Sequence, residues 1–334
     1  MSGAAPAGVA AQLGPVLEAG GPQLSRLLHR TEARLAQVAE SHGRMLGRHA
    51  AGTLSAGGKR LRPMLVFLTA PDGADRSSLV AAAVAVELLH MATLVHDDVL
   101  DRAPLRRGQA TVFAEGGREA ATATGDLLFS RAFAELSATG DEEAVETLSV
   151  ASSALVQGEL MQRSDAWADR VTPERYLERC RLKTASLFEA ACRLGALLGG
   201  AGRAATAALG RFGERIGLAF QIFDDVLDVA GPTERTGKPR GTDLLDGTVT
   251  LPLILARGRD PSLRELDLRS SVREPRQAAR LCERIALTGA LRDARDQALR
   301  HVAEANAVLG EVPLPAPRRS ALELVAEGVV ERYA

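Results

Sequence analysis

An all-α protein is what this sequence predicts, and three observations lead there. Ala, Leu, Arg and Glu, all good helix formers, dominate the composition. Aromatic residues make up only 3% of the chain, which leaves few β-rich runs. Apolar residues recur at helical spacing over about 24–48, 59–70, 117–138, 142–166, 173–199, 204–229, 272–309 and 317–332. At 334 residues the chain is near the upper size for one core. With 46% hydrophobic residues and a formal net charge of −1, it has the profile of a soluble globular protein without a nucleic-acid signature.

Taken in order, residues 1–20 are rich in Ala, Gly and Pro and carry no Lys or Arg, which argues against a secretory or mitochondrial presequence. A flexible tail is expected there. No Pro/Gly-rich linker divides the rest of the chain, so residues 21–334 are expected to form a single domain. The continuous apolar run 79–95 is the one candidate for crossing a membrane. It is slightly short for that and contains Glu87 and His90, which are costly in lipid, so it reads as a core helix. Cys180, Cys192 and Cys282 are odd in number, widely spaced and without a CxxC. They suggest neither a disulfide framework nor a zinc site, and fit a cytoplasmic protein.

The chemistry is concentrated at the end of that apolar run. Asp97, Asp98 and Asp101 come directly after it, and the same pattern returns at Asp224, Asp225 and Asp228 after the apolar run 216–223. On a helix Asp97 and Asp101 share a face, where like charges weaken the helix by a few tenths of a kcal/mol unless a cation lies between them. Mg²⁺ suits such a site, because it is usually held by one or two carboxylates plus the oxygens of a phosphorylated substrate. Arg106 and Arg107 then read as clamps on that phosphate. Taken singly, either motif also matches a charged, solvated helix end. The recurrence carries the argument.

Other segments add to it. Gly57-Gly58-Lys59-Arg60-Leu61-Arg62-Pro63 lets backbone approach an anion and supplies three cations for a diphosphate, although a basic helix start would look similar. His90 lies two helical turns before Asp97 on the same face; a lone buried histidine is more often structural. Lys183 and Thr184 either face the site as phosphate donor and hydroxyl or form an ordinary exposed pair. Gln221 sits three and four residues before Asp224 and Asp225, over the same helical face. The loop 237–243, with Lys238, suits closure over a phosphate or a plain flexible turn.

With GGKRLRP, LLH, HDDVLD with LRRG, KTA, QIFDDVLD and GKPRGTDL in this order from about 57 to 252, the chain resembles the trans-isoprenyl diphosphate synthase (polyprenyl synthetase) family. The resemblance implies the isoprenoid synthase fold, a helical bundle around a deep apolar cavity with both Asp motifs at its mouth, and a homodimer. It implies Mg²⁺, roughly three ions per site, with Asp97, Asp101 and Asp224 as ligands and Asp98, Asp225 and Asp228 supporting directly or through water. It further implies that Arg106, Lys183, Thr184, Gln221 and Lys238 contact the allylic diphosphate. Lys59, Arg62, His90 and Arg107 resemble the isopentenyl diphosphate site. Asp97, Asp101, Asp224, Lys183 and Lys238 would act on the leaving diphosphate. Stabilising the charge developing there lets the allylic C–O bond ionise. The double bond of isopentenyl diphosphate then attacks, and a proton lost to the released diphosphate restores an allylic product.

The pattern departs from the family at Pro104, at Gln109-Ala110 where Lys-Pro is common, and at Thr248 where Lys is frequent. Thr248 leaves one fewer cation near the second acid motif. A class I terpene cyclase would share DDxxD but carry an Asn/Asp-Ser/Thr-Glu motif, not a second DDxxD. In the family it resembles, short-chain synthases commonly carry a bulky aromatic one helical turn before the first acid motif or an insertion within it. Here Ala92 and Thr93, about 6–7 Å along the helix, are small and the motif is uninterrupted, so an open channel and a product of about C30 to C50 are expected. Geranylgeranyl diphosphate and a non-catalytic, length-setting subunit of a heteromer are the alternatives. A peripheral membrane contact for product release is also expected, with no transmembrane segment.

Overall fold

The computed structural model describes residues 7–41, 60–106, 108–231 and 240–331. Among them the chain is helical apart from one two-stranded hairpin, as composition and periodicity require. Contacts gather into two compact units. The first comprises Met1–Ser152, Leu187–Gly213 and Val308–Gly328; the second comprises Ser153–Ser186, Glu214–Ala307 and Val329–Ala334.

The first unit is built on α3 (Arg76–Leu100), whose apolar run is buried on every side by its neighbours α1 (Ala7–Glu40), α2 (Leu61–Thr69) and α4 (Val112–Ser137). A helix that is apolar all round has to be enclosed in this way. It is the only described helix long and apolar enough to cross a membrane, but 72% of its most hydrophobic window is buried inside the protein. Glu87, the misfit in that run, is buried and paired with Arg60 at 2.6 Å. Asp75 caps the start of α3 by accepting from the Ser77 and Ser78 amides. Its end is set by Arg102, whose φ of 51° stops the helix just after Asp101. In α1 the apolar positions Leu24, Leu27, Leu35 and Val38 keep helical spacing and are buried. α7 (Ser186–Leu198) crosses α2 so closely that a methyl on Gly195 would lie 2.0 Å from the Val66 carbonyl oxygen.

The second unit contains the end of α5 (Glu142–Asp165), then α6 (Pro173–Cys180), which runs through a π-helical turn, Arg181–Ala185. It also holds the C-terminal part of α8 (Arg203–Ala230), the short α9 (Thr242–Leu245), and α10 (Leu251–Arg259). Two further short helices, α11 (Pro261–Arg264) and α12 (Leu268–Ser271), lead to α13 (Pro275–Leu287) and α14 (Ala290–Leu309). The last described helix, α15 (Ala316–Glu331), contributes its end. Arg179, only 3% exposed, ties α6 to the segment before α10 by donating to the Val249 carbonyl at 2.7 Å.

Four sequence expectations change. Residues 7–20, expected as a loose tail, are helical, and Val16 is buried; the break comes instead at Gly21, φ 69°, beside Pro22. The single helix expected over 272–309 is two, because Gly289 takes φ 78° between them. α10 was not expected, its nine residues being too short to show a helical period. A hairpin, Leu105–Arg106 with Gln109–Ala110, stands where only irregular chain was expected, turning at Gly108 with φ 78°. Cys180, Cys192 and Cys282 are buried and form no disulfide among the described residues.

Candidate active site

Both acid motifs occupy the last turns of helices, and neither helix carries a basic residue in its last turn. Carboxylates there sit at the negative end of the helix dipole, which disfavours them by about 0.3–1 kcal/mol each at an exposed site. Something other than local helix stability keeps them in place.

In the first unit Asp97 is half-buried, Asp101 exposed and Asp98 buried. Arg106 reaches back from the hairpin, and its Nε and Nη2 each lie 2.8 Å from Asp98 Oδ1. The sequence pattern assigned Arg106 to a phosphate; here its guanidinium is engaged by the aspartate beside it. Thr111 closes the hairpin by donating to the Ala103 carbonyl at 2.6 Å, and its Oγ1 also caps α4 by accepting from the Ala114 amide. Gln109 and Ala110, two of the departures from the family pattern, lie on the exposed outer strand of this hairpin. His90 is half-buried on α3, and its carbonyl accepts from Thr93 Oγ1 at 2.7 Å; Ala92 is fully buried. Arg62 stacks with its Cζ 4.4 Å from the centre of the Phe188 ring.

One cation drops out of the proposed anion site. Arg60, with a left-handed φ of 47°, is bound by Glu32 and Glu87. Burial works against its charge, but these two carboxylates hold the guanidinium protonated beyond its ordinary range. Lys59, Arg107 and Lys238 lie outside the described residues.

In the second unit Asp224 is exposed, Asp225 is 4% exposed and Asp228 half-buried. Asp225 accepts from Tyr176 Oη at 2.7 Å through Oδ2 and from Gln221 Nε2 at 2.7 Å through Oδ1. Gln221 Oε1 in turn accepts from Thr184 Oγ1 at 2.6 Å. Asp228 receives the Thr242 and Asp243 amides at 3.1 and 3.2 Å, so it caps the start of α9. Burial, with Asp243 next, pushes both Asp225 and Asp228 up to about 8 despite these hydrogen bonds. Burial and Asp225 also raise the Tyr176 phenol well above its usual value, which keeps its proton available for donation. The Cys180 thiol is pushed up to about 12 by burial and by Asp225 and is inert.

Lys183 sits in the π-helical turn, where its ammonium pairs with Glu159. A π turn widens the helix locally and is a frequent companion of functional sites. Burial would raise the Glu159 carboxyl, yet Lys183 and Arg163 hold it below its ordinary value. Gly158 makes the approach possible: a methyl there would lie 2.5 Å from the Lys183 amide nitrogen. Thr248, another of the departures, is half-buried and donates its amide to the Asp243 carbonyl at 2.8 Å.

Whether these residues suit a divalent cation can be judged from the donor set. Among the described residues no three Asp, Glu, His or Cys side chains converge to hold a metal ion by themselves. Crowded carboxylates with raised affinity for protons, however, are what a cation relieves, and Mg²⁺ ordinarily completes its shell with water and substrate phosphate. The donor set fits that shared mode of binding.

Sequence reasoning missed Tyr176, Glu159 and Asp243. Tyr176 lies seven residues before Lys183, two helical turns away, and Asp243 ends the glycine loop already suspected of phosphate contact. Neither spacing alone names a partner.

The sequence matches the polyprenyl synthetase family over residues 44–285. It is 43% identical over 234 residues to heptaprenyl diphosphate synthase component 2 of Geobacillus stearothermophilus, covering 70% of this chain and 73% of that one. It is 35% identical over 285 residues to a geranylgeranyl diphosphate synthase of Methanosarcina mazei, covering 84% and 87%. Among solved structures, a polyprenyl synthase from Caulobacter crescentus CB15, complexed with calcium and isoprenyl diphosphate, is similar with a TM-score of 0.82 and 36% identity, over 93% of this chain and 98% of that one. Family, all-α fold and the helix-end acid motifs agree: the chain belongs to the polyprenyl synthetase family of trans-isoprenyl diphosphate synthases and is a prenyltransferase.

Proposed function

We propose that the chain condenses isopentenyl diphosphate head-to-tail onto an allylic diphosphate and repeats the step to a long all-trans product. The observation that carries this is the paired DDxxD motif, each copy ending a helix with no basic residue in its last turn. Mg²⁺ bound there with the substrate would stabilise negative charge on the leaving diphosphate. Asp97 and Asp101 at the first motif and Asp224 at the second would be ligands, with Asp98, Asp225 and Asp228 behind them. Lys183 exchanges Glu159 for the allylic diphosphate, and Thr184 and Gln221 orient the same group. Arg62 and His90, with Lys59, Arg107 and Lys238 from segments outside the described residues, complete the two anion sites. The allylic C–O bond breaks with its electrons on diphosphate, the isopentenyl double bond forms the new C–C bond, and the proton lost passes to the diphosphate. No protein nucleophile is needed.

A product of about C30 to C50 fits the small side chains one helical turn before the acid cluster, where Ala92 leaves no bulk and Thr93 folds its hydroxyl onto the helix backbone. The heptaprenyl relative supports that length and the geranylgeranyl relative supports the shorter alternative. The first of these is called component 2, a reason to consider a partner subunit beside the expected homodimer. A cytoplasmic protein is expected. The purified chain alone, given isopentenyl diphosphate and C10 to C20 primers, should yield long-chain products by mass spectrometry. Products stopping at C20 favour the shorter reading, and no turnover at all favours a heteromer.

A further inference from the structure

We infer that Tyr176 is a positioning residue of the second acidic centre, fixing Asp225 and, through it, the Gln221–Thr184 pair that receives the allylic diphosphate. The inference rests on the reading of Asp224, Asp225 and Asp228 as a Mg²⁺–diphosphate centre.

Tyr176 is fully buried, so its hydroxyl needs a partner inside the protein, and Asp225 Oδ2 is that partner at 2.7 Å. Gln221 occupies the other oxygen at 2.7 Å. Because Gln221 donates through Nε2, its Oε1 is left to accept the Thr184 hydroxyl, at 2.6 Å. The direction of every bond is then set: Tyr176 and Gln221 both donate to Asp225, and Thr184 donates to Gln221. Two neutral donors on one carboxylate fix its plane. Each oxygen retains a lone pair for a cation-bound water. Asp225 is thus held from behind, while Asp224, one residue earlier on the same helix, is exposed. Arg179, whose Cζ lies 5.4 Å from the Tyr176 ring centre, packs against the phenol and is itself tied to Val249 and Asp165. Tyr176 therefore has a fixed support, and its hydroxyl is the group that transmits it.

The chain contains two tyrosines, Tyr176 and Tyr333, so full-length protein labelled with 3-fluorotyrosine gives two fluorine resonances, assigned with Tyr333→Phe. Adding Mg²⁺ with inorganic diphosphate should shift the Tyr176 resonance, and Asp225→Asn should move it before any addition. In parallel, Tyr176→Phe should raise the Mg²⁺ concentration for half-maximal rate and KM for the allylic substrate by roughly ten- to a hundredfold, leaving KM for isopentenyl diphosphate within about twofold, since it loses one hydrogen bond to a charged group. In the double variant with Asp225→Asn the loss should not add. A silent Tyr176 resonance in protein that otherwise responds to Mg²⁺ overturns the inference alone. So does a parallel rise in both KM values, or full additivity. Wild-type protein whose turnover ignores Mg²⁺ overturns the metal reading and this inference together. If Tyr176→Phe does not fold, the fluorine shift decides by itself.

Discussion

The same five residues, Asp-Asp-Val-Leu-Asp, end the apolar parts of α3 and α8, yet the middle carboxylates live in different surroundings. Asp98 is buried against a full positive charge, Arg106, at 2.8 Å. Asp225 is as deeply buried, but among the described residues its donors are neutral, a phenol and an amide, while Asp243 adds a like charge. One faces an opposite charge; the other is pushed up to about 8 by burial and by Asp243. Identical strings thus specify helix-end geometry, and their neighbours decide how much charge remains for a ligand.

Asp97→Ala and Asp224→Ala give the strongest test, since each removes an oxygen that would hold the ion at the leaving group. Turnover should fall about a thousandfold in either case, with helical circular dichroism and cooperative melting retained. Near-normal condensation with only one of the two variants would show that the centres are not equally needed. Next in size, Ala92→Phe should shift products from long chains to C15 or C20 while the first condensation proceeds, as product mass spectra would reveal. An unchanged distribution would place the length gate elsewhere.

The contrast itself is tested by Arg106→Ala, which strands the buried Asp98 charge. A loss of about 1–3 kcal/mol in urea unfolding is expected at pH 7, and a change under about 0.5 kcal/mol would mean that Asp98 is compensated by other groups. The smallest effect is expected at Glu159. Its carboxyl is held below its ordinary 4.5 in the folded protein, so the stabilisation is present above that value and lost as pH falls through the lowered one. Glu159→Gln should therefore be less stable than wild type by about 1 kcal/mol at pH 7, with the gap closing in acid. A gap that stays constant down to about pH 3 would rule out the Lys183 pairing as its source.

What could be read from the sequence was what is local. The two pentapeptides, the core character of 79–95 and most helix positions can be inferred from spacing within one or two turns. What could not be read depends on distant pairing: Arg60 with Glu32 and Glu87, Tyr176 with Asp225, Thr184 with Gln221. Local periodicity holds no information about which buried hydroxyl finds which carboxylate. The pairing of Arg106 with the aspartate eight residues before it is another contact that spacing did not announce. The split of 272–309 turned on one backbone angle at Gly289, a position a regular apolar period passes over.

Gly158 has a consequence for engineering this chain. A glycine inside a long helix is the first residue that a stability optimiser would replace, because alanine gains about 1 kcal/mol of helix propensity. Here the gain is closed off, since the added methyl would land 2.5 Å from the backbone of Lys183 and force the π turn outward. Lys183, the proposed contact to the allylic diphosphate, would move with it. The missing side chain at position 158 is what lets α5 meet the π turn, so the usual gain in helix propensity is not available at this position.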